Sequence, residues 1–315
     1  MGVVLLVVGG EALLRGAVGL ATLLRLTPAI IGLTVVAAGT SVPELAVSGI
    51  AAWQGKADIA VANVVGSNIF NIAVIVGMCA LVRPVAITGN TIRLEYPVLA
   101  LVTLMCVVVA RDGVIGRLDA TLFLATYAGF TAYLVRLVRH QVTATEAHDL
   151  GAQVAELTPP EQPKHRAWVA LALVAAGVGL LGAGAQLTVG GAVGVARVLG
   201  WSERVIGLTI VSAGTGLPEV VASLVSSVRG RSDMAIGNVI GSNLFNILAI
   251  LGLSGLASPL PVQPAMIRSD CLWMLGVTAL LFPLMFTGRR VNRWEGAVLW
   301  TAYCVYIGLL LTGQP

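Results

Sequence analysis

The chain is short of charge. Of its 315 residues only 11% are Asp, Glu, Lys or Arg, while 57% are hydrophobic. A soluble domain carries about a quarter of its residues as charges, so the composition excludes one. Nineteen basic residues against fifteen acidic leave a formal charge of +4. The basic residues lie in short connections and form no patch of the kind that binds nucleic acid. Histidine is nearly absent, and His140, His148 and His165 all fall in one polar stretch, which excludes a histidine relay within the apolar segments. Cys79, Cys106, Cys271 and Cys304 stand far apart in apolar surroundings, with no CxxC or Cys/His spacing. They are expected to be single buried thiols rather than metal ligands or a disulfide framework. The opening residues, MGVVLLVVGGEALL, lack the basic region and cleavage site of a secretory signal and read as the first membrane helix.

What remains is apolar sequence in lengths near the roughly 20 residues that cross a bilayer. Glycine, proline and charge divide it into ten predicted helices, over 2–23, 28–53, 58–81, 93–110, 118–138, 167–199, 203–228, 233–256, 267–287 and 294–312. The expected fold is an all-α polytopic membrane protein. The one long polar stretch, 139–166, mixes both charges, ends in a proline-rich run and has no apolar period, so it reads as a linker.

The chain repeats itself. Pairing Ile31 with Ile206, an offset of 206 − 31 = 175, aligns 31–80 with 206–255, and 24 of the 50 pairs are identical. Residues 1–138 and 167–315 are therefore expected to be two copies of a five-helix unit. An odd number of spans turns the second copy upside down. Inverted repeats with interrupted helices are the architecture of secondary transporters, with the substrate site at the midplane. Six Lys and Arg residues, Lys56 and Arg204 among them, fall on the N-terminal side, and twelve, including Arg83 and Arg229, on the side of the 139–166 loop. The positive-inside rule then predicts a cytoplasmic loop and both termini outside the cell membrane.

Each copy carries an anomaly, GTSVPELAVS at 39–48 and GTGLPEVVAS at 214–223. Pro43 cannot donate a backbone hydrogen bond and its ring clashes with the Gly39 carbonyl, so the helix is predicted to open there. Carbonyls freed around Ala37 to Thr40 need partners that lipid does not offer. The Thr40 and Ser41 hydroxyls, water or a cation can supply them, and Glu44 reaches the same break. A carboxylate at that depth costs several kcal/mol unless something offsets it. Two glutamates among hydroxyl and carbonyl oxygens suit calcium, or sodium at lower charge, and disfavour an anion. The third element is ANVVGSNIFNI, 62–72, matched by GNVIGSNLFNI, 237–247. Ser67 and Asn71 share a helix face, as do Asn63 and Ser67. Polar glue between helices is the competing explanation for the asparagines.

The paired motifs GTSVPEL…GSNIFNI and GTGLPEV…GSNLFNI resemble the two alpha-repeats of the sodium/calcium exchanger (cation/calcium antiporter) family. The resemblance covers nearly the whole chain. It implies an antiporter rather than an enzyme, with ten helices in two inverted halves and no cofactor. Na+ and Ca2+ would be its substrates, exchanged across the lipid bilayer by alternating access. By motif position the implied ligands are Glu44, Glu219, Thr40, Thr215, Ser41, Ser67, Ser242, Asn71 and Asn246, with the carbonyls of Ala37 and Ser212. Two positions depart from the family pattern. Gly216 stands where serine is common, and Asn246 where prokaryotic members often have aspartate, so the site holds two carboxylates rather than three. A proton-coupled calcium antiporter and a cation channel remain as alternatives.

Other features have plainer readings. GVGLLGAG, 177–184, has the letters of a dinucleotide loop but lies inside a predicted membrane helix, where small residues serve close packing. Glu11 and Arg15 are spaced to pair along a helix, and Glu11 has Gln186 as its repeat partner. Arg93, Glu95, Arg268 and Asp270 are expected to anchor helix starts, and Asp58 and Asp233 to act as N-caps.

Overall fold

The computed structural model describes residues 2–24, 32–141, 167–198, 200–201 and 203–313. The start of the second predicted helix, Arg25, and most of the 139–166 linker with His148, Lys164, His165 and Arg166 lie outside the described residues.

The helices are α1 (Gly2–Leu24), α2 (Leu33–Thr40), α3 (Val42–Trp53), α4 (Ala57–Val82) and α5 (Thr91–Asp112). After α6 (Arg117–Gln141) and α7 (Ala167–Val198) come α8 (Arg204–Thr215), α9 (Leu217–Val228), α10 (Ser232–Ala257), α11 (Met266–Arg289) and α12 (Arg293–Leu311). Among the described residues six helices, α4, α5, α7, α10, α11 and α12, are long and apolar enough to cross a membrane, and up to eight spans result if the bent pairs α2/α3 and α8/α9 count as one each. Helices suit this environment because every backbone group finds its partner within the segment. α6 runs three residues past its expected end, and α12 opens with a capping box in which Glu295 accepts the Asn292 amide at 2.6 Å.

The centre of the molecule is α4 and α10. Their apolar windows are 89% and 83% buried, against 22% for α7 and α12 at the rim. α1 and α7 pack on each other through small residues. A methyl group at Gly177 would lie 2.5 Å from the Leu13 amide, and one at Gly9 would meet Leu180 and Leu181. Within the run 177–184, Gly177 serves close packing, whereas Gly179 and Gly182 have nothing within 4 Å of an added methyl.

Contacts recur at the 175-residue offset. Gly66 of α4 lies against the backbone of Leu208, and Gly241 of α10 against that of Leu33. The short strand Val85–Ala86 pairs antiparallel with Arg290–Val291, and Val114–Ile115 pairs with Leu260–Pro261. Wider π-type turns also come in pairs: Gly32–Val36 with Gly207–Val211, Asn71–Val76 with Phe245–Leu251, and Thr91–Glu95 with Met266–Asp270.

Several local expectations change. Cys79, Cys106 and Cys271 are buried but Cys304 is exposed, because it sits on the rim helix α12. Asp58 and Asp233 are not N-caps. Lys56 and Arg231 hold those positions, and each aspartate lies one turn-residue inside its helix. Glu95 and Asp270 are buried rather than interfacial, each at the end of the wider π-type turn that opens its helix. Glu95 accepts the Thr91 hydroxyl at 2.9 Å. Asp270 pairs with Arg204 at 2.7 Å and takes the Tyr306 hydroxyl at 3.3 Å.

Candidate ion-binding site

The two Pro-Glu segments break their helices as predicted, by 52° between α2 and α3 and by 44° between α8 and α9. Pro43 and Pro218 fall in the first turns of α3 and α9, where a missing amide proton is tolerated. The hinge residues are Ser41 and Gly216. Glu44 and Glu219 follow within the same first turns, near the positive end of each short helix.

The break bends the chain without unwinding it. The Ala37 carbonyl accepts the Ser41 amide at 3.0 Å and the Thr40 hydroxyl at 3.3 Å. Ser212 likewise accepts the Gly216 amide at 3.0 Å and the Thr215 hydroxyl at 3.4 Å. These two carbonyls are therefore already engaged, contrary to the expectation that the break frees them.

Both glutamates are fully buried. The Ser41 hydroxyl donates to Glu219 Oε1 at 2.7 Å, and Ser242 reaches the same oxygen at 3.4 Å. Glu44 stands within electrostatic range of Glu219 and close to Thr215. No Lys or Arg pairs with either carboxylate among the described residues. The remaining oxygens are stranded. Glu44 Oε1 and Oε2, Glu219 Oε2, Ser67 Oγ, Asn71 Oδ1 and Asn246 Oδ1 are all buried without a hydrogen-bond partner. A buried polar atom left so costs about 1–3 kcal/mol, and a charged one more. Six of them, all on predicted ligands, leave a gap in the bonding that an electropositive guest would close. No cluster of three or more His, Cys, Asp or Glu residues exists among the described residues, so such a guest would meet two carboxylates and neutral oxygens.

A second layer, absent from the predicted ligand set, ties the halves together. Asn63 accepts the Thr215 hydroxyl at 3.2 Å and donates to Ser48 at 2.9 Å. Asn238 accepts from Thr40 at 3.4 Å and donates to Ser223 at 2.9 Å. Asn71 donates to Asn243 at 2.9 Å, and Asn246 to Asn68 at 3.3 Å. The signal for this layer was in the sequence, in the three asparagines of each segment 62–72 and 237–247, but the partners that join the halves lie across the repeat boundary. Outside the site, Glu11 pairs with Arg15 at 2.7 Å as its spacing predicts, and also with Arg229 at 2.7 Å.

Comparison with known proteins meets this geometry. The family described as "Sodium/calcium exchanger protein" matches residues 1–136 and 169–312. The chain is 42% identical to CaxA of Alkalimonas amylolytica, over 99% of this chain and 97% of that one. It is 32% identical to the inner membrane protein YrbG of Escherichia coli, over 100% and 96%, and 30% identical to the sodium/calcium exchanger MaX1 of Methanosarcina acetivorans, over 98% and 96%. Among solved structures, the sodium-calcium exchanger NCX_Mj soaked with 2.5 mM Na+ and 10 mM Sr2+ superposes with a TM-score of 0.79 at 27% identity, over 98% of this chain and 96% of that one. The chain is a multi-pass membrane protein and belongs to the sodium/calcium exchanger family of antiporters.

Proposed function

We propose that the protein exchanges Na+ for Ca2+ across the cell membrane by alternating access, with both ions competing for one site built on Glu44 and Glu219. One observation carries the reading: six buried oxygens, from both halves of the chain, belong to predicted ligands and lack a hydrogen-bond partner, against three such atoms elsewhere among the described residues. Two carboxylates balance the charge of one Ca2+, and the hydroxyl and amide oxygens of Ser67, Asn71, Ser242 and Asn246 complete a hard, all-oxygen shell. Thr40, Thr215 and Ser41 flank it, and the carbonyls of Ala37 and Ser212 can join only where the Thr40 and Thr215 hydroxyls turn away from them. Several Na+ ions can occupy the same oxygens, never alongside Ca2+, and that exclusion couples the two fluxes. The names of the relatives MaX1 and NCX_Mj agree with these substrates.

The same proposal has ten spans in two inverted halves, 1–138 and 167–315, with the 139–166 loop cytoplasmic and both termini outside. The recurrence of contacts at the 175-residue offset supports the two halves. The helices outside the central set, α2 to α4 and α8 to α10, slide against that fixed core. Orientation is tested with single cysteines at Gln54 and Arg229, which are equivalent and exposed. An impermeant thiol reagent should label position 54 from outside and spare 229; labelling of both would sink the inversion.

Transport is tested in proteoliposomes. Calcium uptake should require internal Na+ and persist without a pH gradient. Uptake driven by a pH gradient in the absence of Na+ would establish proton coupling instead. Flux independent of any counter-ion would mean a channel.

A further inference from the structure

The two asparagines that follow Ser67 and Ser242 in the motif, Asn68 and Asn243, lie outside the predicted ligand set, yet they touch its two amide members. An asparagine amide has two faces of opposite character. Its oxygen can bind a cation, whereas its NH2 group repels one. Asn71 and Asn246 can serve a cation only if the oxygen points inward, and something must hold it there.

The geometry points to Asn243 and Asn68 as the residues that set this orientation. The chain of bonds begins at an atom whose character is fixed. The backbone carbonyl of Asn68 can only accept, so the group that meets it at 3.4 Å is the Asn243 NH2. That fixes the Asn243 oxygen at the other end of its amide, where it accepts from Asn71 Nδ2 at 2.9 Å. The Asn71 NH2 is thereby turned toward Asn243, and Asn71 Oδ1 is left buried and unpartnered on the side of the site. The second chain runs the other way across the boundary. The Asn68 NH2 faces Met274 Sδ at 3.6 Å, a weak acceptor and no donor. Its oxygen accepts from Asn246 Nδ2 at 3.3 Å, and Asn246 Oδ1 is stranded in turn. All four side chains are buried to within 1% of full, so water does not compete for these bonds. Asn68 and Asn243 are thus positioning residues. They decide which end of each ligand amide meets the ion, and each half of the chain orients the ligand of the other.

This inference rests on the site proposed above, so its test is built to separate the two. In proteoliposomes, Asn243→Leu should raise the calcium half-saturation roughly tenfold, the scale of one misdirected hydrogen bond, with a much smaller effect on maximal rate. The variant Asn243→Asp keeps the oxygen that accepts from Asn71 but turns its other oxygen to the Asn68 carbonyl, so it should recover part of the half-saturation that Asn243→Leu loses. Asn71→Asp supplies a background blind to orientation, because both ends of the aspartate are oxygens; there Asn243→Leu should bring no further rise. An equal rise in both backgrounds would make Asn243 a packing residue and overturn the inference, as would an unchanged half-saturation in the otherwise native chain. If Asn243→Leu does not fold while Asn243→Asp does, Asn68→Leu repeats the test on Asn246, with Asn246→Asp as the blind background. Glu44→Gln is run alongside. If it keeps native calcium dependence, the site itself is wrong; if it loses calcium transport while Asn243→Leu changes nothing, only the orienting role falls.

Discussion

Glu219 takes a hydrogen bond from Ser41 at 2.7 Å and has Ser242 at 3.4 Å, whereas Glu44 takes none. The difference traces to the hinge. The counterpart of Ser41, shifted by 175 residues, is Gly216, which has no hydroxyl to offer Glu44. The counterpart of Ser242 is Ser67, whose hydroxyl is unpartnered. One carboxylate is thus held by protein hydroxyls, and both oxygens of the other lack a hydrogen-bond partner. The layer behind them is even-handed: Ser48, Asn63 and Thr215 repeat as Ser223, Asn238 and Thr40 with matching bonds. Away from the centre the halves part again. Asp270 is paired with Arg204, while its counterpart Glu95 has, among the described residues, the Thr91 hydroxyl and no ion pair. The halves are alike where each must complete the other's bonds, and free to differ where they need not.

That comparison can be broken first at the carboxylates. Glu44→Gln and Glu219→Gln should each reduce calcium exchange by on the order of a hundredfold or more, since each removes one of two charges facing a divalent ion in a low dielectric. Glu219→Gln also leaves the Ser41 hydroxyl facing a neutral amide, so its loss should be at least as large as that of Glu44→Gln. Normal calcium uptake by either variant would remove that residue from the site. The protein should still fold, because each change removes a buried charge that lacks a counter-charge.

Asn246→Asp sharpens the comparison by adding a carboxylate to the second half alone. It should lower the calcium half-saturation roughly tenfold or raise the Hill coefficient for sodium, as a third negative charge favours cations. The gain is limited because the new oxygen faces Asn68 Oδ1, where Asn246 now donates. If calcium half-saturation and sodium cooperativity both stay unchanged, Asn246 is packing rather than a ligand.

The smallest effect is expected from Gly216→Ser, which removes the asymmetry at the hinge. The backbone there has φ −75°, which any residue adopts. A Cβ would lie 3.0 Å from the Ser212 carbonyl and 3.3 Å from the Phe70 ring, so the neighbours must give slightly. The added hydroxyl should tether Glu44 as Ser41 tethers Glu219 and shift the calcium half-saturation by less than about tenfold, within the net worth of one hydrogen bond. A change as large as that of Glu44→Gln would show that the hinge shape, not the hydroxyl, matters at 216.

Much of this was legible in the sequence. Apolar runs placed the described helix ends to within a few residues, because lipid demands continuous hydrophobic length. The Pro-Glu breaks were legible because proline acts locally, through its own missing amide. Burial of Glu95 and Asp270 was not: hydropathy reads neighbours in the chain, and Arg204, which compensates Asp270, is 66 residues away. Exposure of Cys304 was missed because a lipid-facing side chain and a buried one are equally apolar in sequence. The π-type turns at Asn71–Val76 and Phe245–Leu251 leave no propensity signature, since the same residues suit an ordinary helix. The bonds between Asn71 and Asn243, and between Asn246 and Asn68, needed the fold, because only packing brings the two halves together.

The central claim is that one buried cage, shared by the two halves, holds Ca2+ or Na+ but not both. Equilibrium binding of radioactive calcium to the purified protein, titrated with sodium, tests it most directly. The expected result is one saturable calcium site per chain, competitive displacement by sodium, and loss of binding in the double variant Glu44→Gln/Glu219→Gln. Calcium binding that survives in that variant would contradict it.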